Sequence, residues 1–148
     1  MLENAEEILE EIKDKDKKLN SLLGNLPGAF FSCLNEKEKT MIFMSDGAGN
    51  LTGFENDQLL YNRYNELINK SDRDRIWDII SDKISRGEEY QVIYRITTSD
   101  FKEKWVMEYG VGTHKIIEED KDRGPYILEG YIFDISALVE SGLISVNL

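Results

Sequence analysis

The spacing of apolar side chains divides the chain into three stretches, and the first of them predicts a coiled-coil helix. Up to about residue 23, apolar residues recur every seven positions with charged residues between them, which is typical of a helix that packs along one seam. Gly24 and Pro27 predict that the helix ends before the next element begins. The seam positions are Leu2, Ala5, Leu9, Ile12, Leu19 and Leu23, with Asp16 as a charged interruption.

The middle stretch predicts a strand pair and then helices. Two apolar runs at residues 29–34 and 40–44, separated by the charged connector 35–39, are typical of a hairpin of buried strands. Residues 46–70 contain three glycines and show no alternation, so short helical turns are expected there. A longer helix follows, because Ser71 and Asp74 have capping-box spacing and isoleucines recur at helical spacing up to an exit at Gly87.

The last third of the chain alternates between apolar and polar or small residues, which predicts strands with one buried face. The alternating runs are 90–97, 105–112 and 126–135, with a polar loop at 118–124. In the second run Trp105 and Met107 share one face, and we expect that face to point into the core. The order of elements predicts an α+β fold, a five-stranded antiparallel sheet with helices on one face, preceded by the N-terminal amphipathic helix.

Composition narrows the classes of partner. The 148 residues suit a single domain. The chain carries 18 Lys plus Arg against 29 Asp plus Glu, a net charge of −11, which argues against nucleic acid and against an anionic membrane surface as partners. The N-terminus lacks the pattern of a signal peptide, and no apolar run is long enough to span a bilayer. We therefore expect a cytoplasmic protein.

Several short motifs, in this order and at this spacing, resemble those of PAS domains over residues of about 22 to 136. Lys70 stands where the family often has His-Pro, and Ser136 stands where it has Thr. The motifs are Leu26-Pro27-Gly28-Ala29-Phe30-Phe31, Phe43-Met44-Ser45-Asp46-Gly47, Leu51-Thr52-Gly53-Phe54, Ser71-Asp72-Arg73-Asp74-Arg75, Tyr94-Arg95-Ile96, Lys104-Trp105-Val106 and Gly130-Tyr131-Ile132-Phe133-Asp134-Ile135-Ser136.

The heptad pattern and the resemblance together predict a helix at 1–23, a PAS domain at 24–136 and a tail at 137–148 that is a linker remnant. The resemblance implies a sensory module of a bacterial or archaeal signalling protein, of the two-component or cyclic-nucleotide kind, whose output domain is absent from this chain. It also implies that Asp134 and Ser136 relay the signal at the end of the last strand, and that the chain is not an enzyme and has no catalytic residue.

Two functions stay open under this resemblance. In the first, the domain binds an unidentified small molecule or a partner and passes the change through its flanking helices. In the second, it is a structural PAS domain with a filled core that serves only dimerisation or docking. Mass spectrometry of ligands released from the native protein discriminates between them.

A set of aromatic, sulfur-bearing and aliphatic side chains is the candidate lining of a pocket between sheet and helices. Buried Tyr and Trp side chains need partners for their polar tips and can therefore orient a ligand. The candidates are Met44, Tyr61, Tyr64, Ile80, Val92, Tyr94, Trp105 and Met107.

Neither a metal nor a cofactor is expected. The single histidine, His114, lies at the end of the fourth predicted strand, where a surface position is expected rather than a haem ligand. The single cysteine, Cys33, lies in the first strand rather than in a flavin-reactive helix, and is interpreted as a small buried apolar residue.

The heptad seam predicts a homodimer, because a solitary helix would leave it in water. We expect the helices to pack on each other and on the sheets. The residues assigned to this contact are Leu2, Leu9, Ile12, Leu19 and Leu23.

Overall fold

The computed structural model describes residues 28–113 and 127–146. Its strands are β1 (Gly28–Leu34), β2 (Met41–Met44), β3 (Tyr90–Thr97), β4 (Glu103–Gly112) and β5 (Ile127–Asp134). Its helices are α1 (Ala48–Thr52), α2 (Arg63–Leu67), α3 (Lys70–Ser85) and α4 (Ser136–Glu140), with a 3₁₀ turn at Asn56–Leu59. The helix predicted for residues 1–23 and the loop at 118–124 lie outside the described residues.

The five strands form one sheet in the order β2-β1-β5-β4-β3, and every neighbouring pair is antiparallel. The first and last strands of the chain therefore lie side by side at the centre of the sheet. Helices α1, α2 and α3 contribute buried residues to the same hydrophobic cluster as one face of the sheet. The predicted α+β fold is confirmed.

The period of the apolar residues explains which surfaces meet in this core. In β3, Tyr90, Val92, Tyr94 and Ile96 are buried while the residues between them are half-buried or exposed. Along α3, Ile76, Ile80 and Ile84 recur every four residues and form the stripe that packs on the sheet. We call the face of the sheet that these helices cover the inner face, and the opposite one the outer face.

Helix α3 begins two residues earlier than its sequence pattern indicates. Asn69 is the N-cap, and its side-chain oxygen accepts a hydrogen bond from the backbone N–H of Ser71 at 3.0 Å. The predicted capping box of Ser71 and Asp74 is therefore wrong, and Asp74 instead forms an ion pair with Lys37. Asn and Ser are both good N-cap residues, so residue type alone does not decide whether Asn69 or Ser71 caps the helix.

Candidate functional site

The inner face brings together five of the eight residues predicted to line a pocket. Each is at most 3% exposed, and all five belong to one hydrophobic cluster. They are Met44, Tyr64, Ile80, Val92 and Tyr94.

The other three predicted pocket residues lie elsewhere, which corrects the prediction. Trp105 and Met107 are on the outer face, because β4 turns Val106, Glu108 and Gly110 inward. Tyr61 is 73% exposed and pairs through its backbone with Met41 at the edge of the sheet. The alternation in β4 was predicted with the right period and the wrong face, because the inner face carries a carboxylate and a glycine rather than the larger apolar residues.

Glu108 is the centre of the candidate site. It lies at the middle of β4, points into the core and is fully buried. Its Oε2 accepts hydrogen bonds from Lys39 Nζ at 2.5 Å and from the Tyr90 hydroxyl at 2.6 Å, and its Oε1 accepts one from the Tyr94 hydroxyl at 2.7 Å. A buried carboxylate is tolerated only with such partners.

The third tyrosine extends this arrangement by one hydrogen bond. The hydroxyls of Tyr64 and Tyr94 are 2.7 Å apart. Since the single proton of Tyr94 is donated to Glu108, the Tyr64 hydroxyl is the donor in this contact. We refer to Lys39, Tyr64, Tyr90, Tyr94 and Glu108 as the Glu108 cluster.

The electrostatics of the Glu108 cluster keep its donors protonated. Burial, reinforced by the charge of Glu108, raises the pKa of Tyr64, Tyr90 and Tyr94 well above 10. Burial by itself would lower the pKa of Lys39, but the adjacent Glu108 carboxylate outweighs it and the net shift is upward. Each hydroxyl and the ammonium therefore carry the proton that their hydrogen bond requires.

Backbone geometry makes room for two members of the cluster. A Cβ atom on Gly110 would lie 2.4 Å from the Tyr90 ring, so only glycine lets this ring pack over β4 and reach Glu108. Lys39 comes from the connector between β1 and β2 and has a φ of 53°, in the left-handed region that non-glycine residues seldom adopt. Its side chain runs inward from there, with Nζ 5.0 Å from the centre of the Phe31 ring.

Little space is left beside this cluster. A cavity of about 10 Å³ lies between the connector and α3, lined in part by Lys39, Ile76 and Ile80. That volume is about the minimum for one water molecule. Between the connector and α3, the described side chains therefore leave room for about one water molecule.

The signal-relay residues lie where the last strand ends. Asp134 accepts a hydrogen bond from the Ser136 backbone N–H at 2.8 Å, which fixes the start of α4. The Ser136 hydroxyl accepts one from the Trp105 backbone N–H at 2.9 Å, and the Ile135 N–H donates to the Trp105 carbonyl at 2.9 Å. Both of these hydrogen bonds attach the residues after β5 to the backbone of Trp105 in β4.

A second set of contacts joins the start of α3 to the same residue. The buried Asp72 carboxylate accepts hydrogen bonds from the Arg95 backbone N–H at 3.0 Å and from its guanidinium at 2.9 Å. The guanidinium also lies 5.4 Å from the centre of the Trp105 ring on the outer face. Burial would raise the pKa of Asp72, but the hydrogen bonds from Arg95 outweigh it and the pKa is lowered.

The outer face of the sheet carries a row of aromatic side chains. The rings of Phe30 and Tyr131 are 5.3 Å apart, and those of Tyr131 and Phe133 are 5.7 Å apart. At the β2 edge, Phe43 is 47% exposed. This face is apolar enough to be covered by another surface.

Three members of the Glu108 cluster were not identified from the sequence: Lys39, Tyr90 and Glu108. The available signal was in the alternation itself, since Glu108 shares one side of its strand with Val106, and Tyr90 shares one with Tyr94. Cys33 is fully buried in β1, as expected, and burial raises its pKa to about 11.

Some predicted features lie outside the described residues, namely His114 and the seam residues Leu2, Leu9, Ile12, Leu19 and Leu23. Within residues 28–113 and 127–146, no group of three or more His, Cys, Asp or Glu side chains could hold a metal ion. None of the helices in these ranges is long and apolar enough to cross a membrane.

Comparison with solved structures finds a similar fold in several proteins. A PAS domain from Colwellia psychrerythraea superposes with a TM-score of 0.64 at 17% identity, over 82% of this chain and 97% of that one. A sensory box histidine kinase/response regulator from Burkholderia thailandensis gives 0.62 at 20% identity, over 86% and 89%. The N-terminal domain of a diguanylate cyclase with a PAS/PAC sensor from Marinobacter aquaeolei gives 0.59 at 14% identity, over 74% and 96%.

Comparison by sequence identifies the family. No curated protein matches the chain significantly. The family model described as PAS fold matches residues 41–132, from the start of β2 to within β5, which is more than half of the chain. The chain therefore belongs to the PAS family.

Proposed function

We propose that this PAS domain is a signal-relay module of a larger signalling protein, and that it relays structural change between α3 and the exit helix α4 through Trp105. The observation that carries the proposal is the pair of links that meet at this residue. Asp72 reaches it through Arg95, and Ser136 reaches it through a backbone hydrogen bond. A displacement at the start of α3 is thereby coupled to the last strand and to the chain that follows it.

Contacts of Lys104 give further support to the proposal. Lys104 donates hydrogen bonds to the carbonyls of Asn50 and Leu51 at 3.2 and 3.0 Å, and lies 3.8 Å from the Asp134 carboxylate. The Lys104 ammonium group, on β4, thus contacts both α1 and the end of β5. We propose that an output domain outside this sequence receives the signal from α4, and that the PAS domain itself catalyses nothing.

The alternative, a structural domain with a filled core, is favoured by one observation. The inner face is occupied by the Glu108 cluster, and the cavity beside it amounts to about 10 Å³. A domain of this kind would serve dimerisation or docking, and the contacts at Trp105 would only hold the fold together.

An NMR comparison of amide chemical shifts distinguishes relay from scaffold. Asp72→Asn weakens the charge-assisted contact with Arg95, and we expect amide shifts at residues 135–140 to change although they lie beyond Trp105. Asp78→Asn is the matched control, since Asp78 lies on the exposed side of the same helix. Shifts at 135–140 that match the wild type in Asp72→Asn would reject the relay and leave the structural domain.

We further propose that two copies of the chain associate through the seam of residues 1–23 and the outer face of the sheet. That segment leads directly into β1, and Phe30 of β1 belongs to the aromatic row on this face. Light scattering over a concentration series should show a dimer at tens of micromolar and a monomer after deletion of residues 1–22. A monomeric full chain, or a dimer that persists unchanged in the deletion variant, would contradict this arrangement.

A further inference from the structure

We propose that the Glu108 cluster is a recognition site for a primary ammonium group, that Lys39 occupies it as an internal ligand, and that a free alkylamine displaces Lys39 to bind there. The proposal goes beyond the relay function, since it names a site and a class of ligand. It follows from what surrounds the Lys39 ammonium and from how Lys39 is attached to the rest of the fold.

The surroundings of the Lys39 Nζ atom have the chemistry that an ammonium ion requires. The Glu108 carboxylate supplies the opposite charge at 2.5 Å, and the face of Phe31 lies within cation–π distance at 5.0 Å. The hydroxyls of Tyr90 and Tyr94 hold the carboxylate oxygens from two sides. A free primary ammonium ion has the same charge and the same three N–H donors as the Lys39 side chain. The two ligands therefore differ only in that Lys39 is covalently tethered to the chain.

The tether is the connector of residues 35–39 between β1 and β2. Lys39 is at a φ of 53°, a conformation that disfavours any residue with a Cβ atom. Two residues earlier, Lys37 forms an ion pair with Asp74 of α3 at 2.6 Å, but the two side chains are 55% and 82% exposed. Exposed pairs of this kind contribute little. Release of the connector breaks the hydrogen bond from the Lys39 backbone N–H to the Glu36 carbonyl, at 3.1 Å, and the Lys39–Glu108 contact; an incoming ammonium ion replaces the second of these.

Space for the alkyl part of a ligand exists along the path of the Lys39 side chain. The stem of Lys39 borders the cavity of about 10 Å³, whose wall includes Ile76, Ile80 and Leu128. A linear alkyl chain that takes the place of this stem would contact the same apolar wall. The site therefore fits a primary alkylammonium ion with an unbranched chain.

Lys39 competes with any such ligand, and this sets the affinity of the wild type. Apparent affinity falls by the fraction of molecules in which the connector is open. Minor states of about 0.1–10% are ordinary, so the wild type should bind a small alkylammonium ion about 10 to 1,000 times more weakly than a variant without Lys39.

Lys39→Ala with n-propylammonium as the probe tests the site directly, because n-propylammonium restores the atoms that this substitution removes. At saturating probe the thermal midpoint of the variant should rise by roughly 3–10 °C. The wild type and Lys37→Ala, which removes an exposed lysine from the same connector, should need about 10 to 1,000 times more probe for half of that rise. Equal molarities of 1-propanol, which lacks the charge, and of tetramethylammonium, which lacks N–H donors, should give no rise.

Several results would overturn the proposal. One is an equal response to 1-propanol, which would show filling of an apolar cavity. Another is a response that survives in the double variant Lys39→Ala/Glu108→Gln, which lacks the carboxylate. A folded Lys39→Ala variant that does not respond, or a wild type that shows no response at about one thousand times the Kd of the variant, also overturns it.

If Lys39→Ala does not fold alone, refolding from denaturant in the presence of each probe gives the same decision. Recovery of native circular dichroism with n-propylammonium, and not with 1-propanol or tetramethylammonium, supports the site; failure with n-propylammonium overturns it. The relay proposal is unaffected by these outcomes, because it depends on amide shifts at residues 135–140 in a different variant.

Discussion

At the scale of single residues, the fold depends on keeping every charge in the Glu108 cluster paired. We expect Glu108→Gln to lower the free energy of unfolding by about 3–5 kcal/mol, because the Lys39 ammonium then stays buried opposite a neutral amide. Glu129→Gln on the neighbouring strand is the control, since Glu129 is exposed, and it should change stability by about 0.5 kcal/mol or less. Urea denaturation measures both, and a loss below about 1 kcal/mol for Glu108→Gln would contradict the pairing.

A tyrosine hydroxyl in the Glu108 cluster should contribute less to the free energy of unfolding than the Glu108 charge to which it donates a hydrogen bond. Tyr94→Phe removes one donor to Glu108 and the acceptor of the Tyr64 hydroxyl. We expect a loss of about 1–3 kcal/mol, because two buried polar groups lose a partner. Tyr61→Phe changes the same atom on a side chain that is 73% exposed, and should be close to neutral. Equal effects of the two substitutions in urea denaturation would show that the buried hydrogen bonds contribute nothing.

At the scale of elements, the sequence predicts the strands well and their orientation less well. Alternation located β3 and β4 within two residues, because period two is a property of the strand itself. Which side of β4 faces inward depends on Lys39, which is 69 residues away from Glu108 along the chain. No local pattern contains that contact, and this is why Trp105 and Met107 were assigned to the pocket and Glu108 was not.

The face assignment of β4 can be tested on two adjacent residues. Val106 is fully buried on the inner face, and Met107 is half-buried on the outer face. We expect Val106→Asp to cost about 4 kcal/mol or more, because it places an unpaired charge in the core, and Met107→Asp to cost less than about 2 kcal/mol. The comparison uses thermal or urea unfolding of the full chain, and the reverse order of the two losses would return Met107 to the core.

At the scale of the whole molecule, the domain and its family were predictable from sequence. Which groups lie between its sheet and its helices was not predictable. The order of helices and strands and the short motifs from Leu51 to Ser136 are sufficient for the fold. The space between sheet and helices depends instead on Lys39, Tyr90 and Tyr94 meeting at one carboxylate, and on Tyr64, which bonds to the Tyr94 hydroxyl. That meeting is a product of tertiary structure, so residue types alone left a ligand pocket and a filled core both open.

The same buried groups predict that the molecule loses stability in alkaline solution. Burial raises the pKa of Cys33 from 9.0 to about 11, so between these values the unfolded chain loses a proton that the folded chain keeps. A raised pKa contributes stability that is complete below pH 9 and is lost as the pH rises toward 11. At about 1.4 kcal/mol per pKa unit, the loss due to Cys33 is roughly 2–3 kcal/mol. The pKa values of the tyrosines in the cluster are shifted in the same direction, and these groups add to the loss of stability above pH 10. Urea denaturation at intervals from pH 7 to 11 should show a steady decline in the free energy of unfolding of the wild type that begins near pH 9. In Cys33→Ala the decline should begin about one pH unit later, whatever the stability of that variant at pH 7. Parallel declines in the two proteins would show that the Cys33 thiol is not the group that titrates.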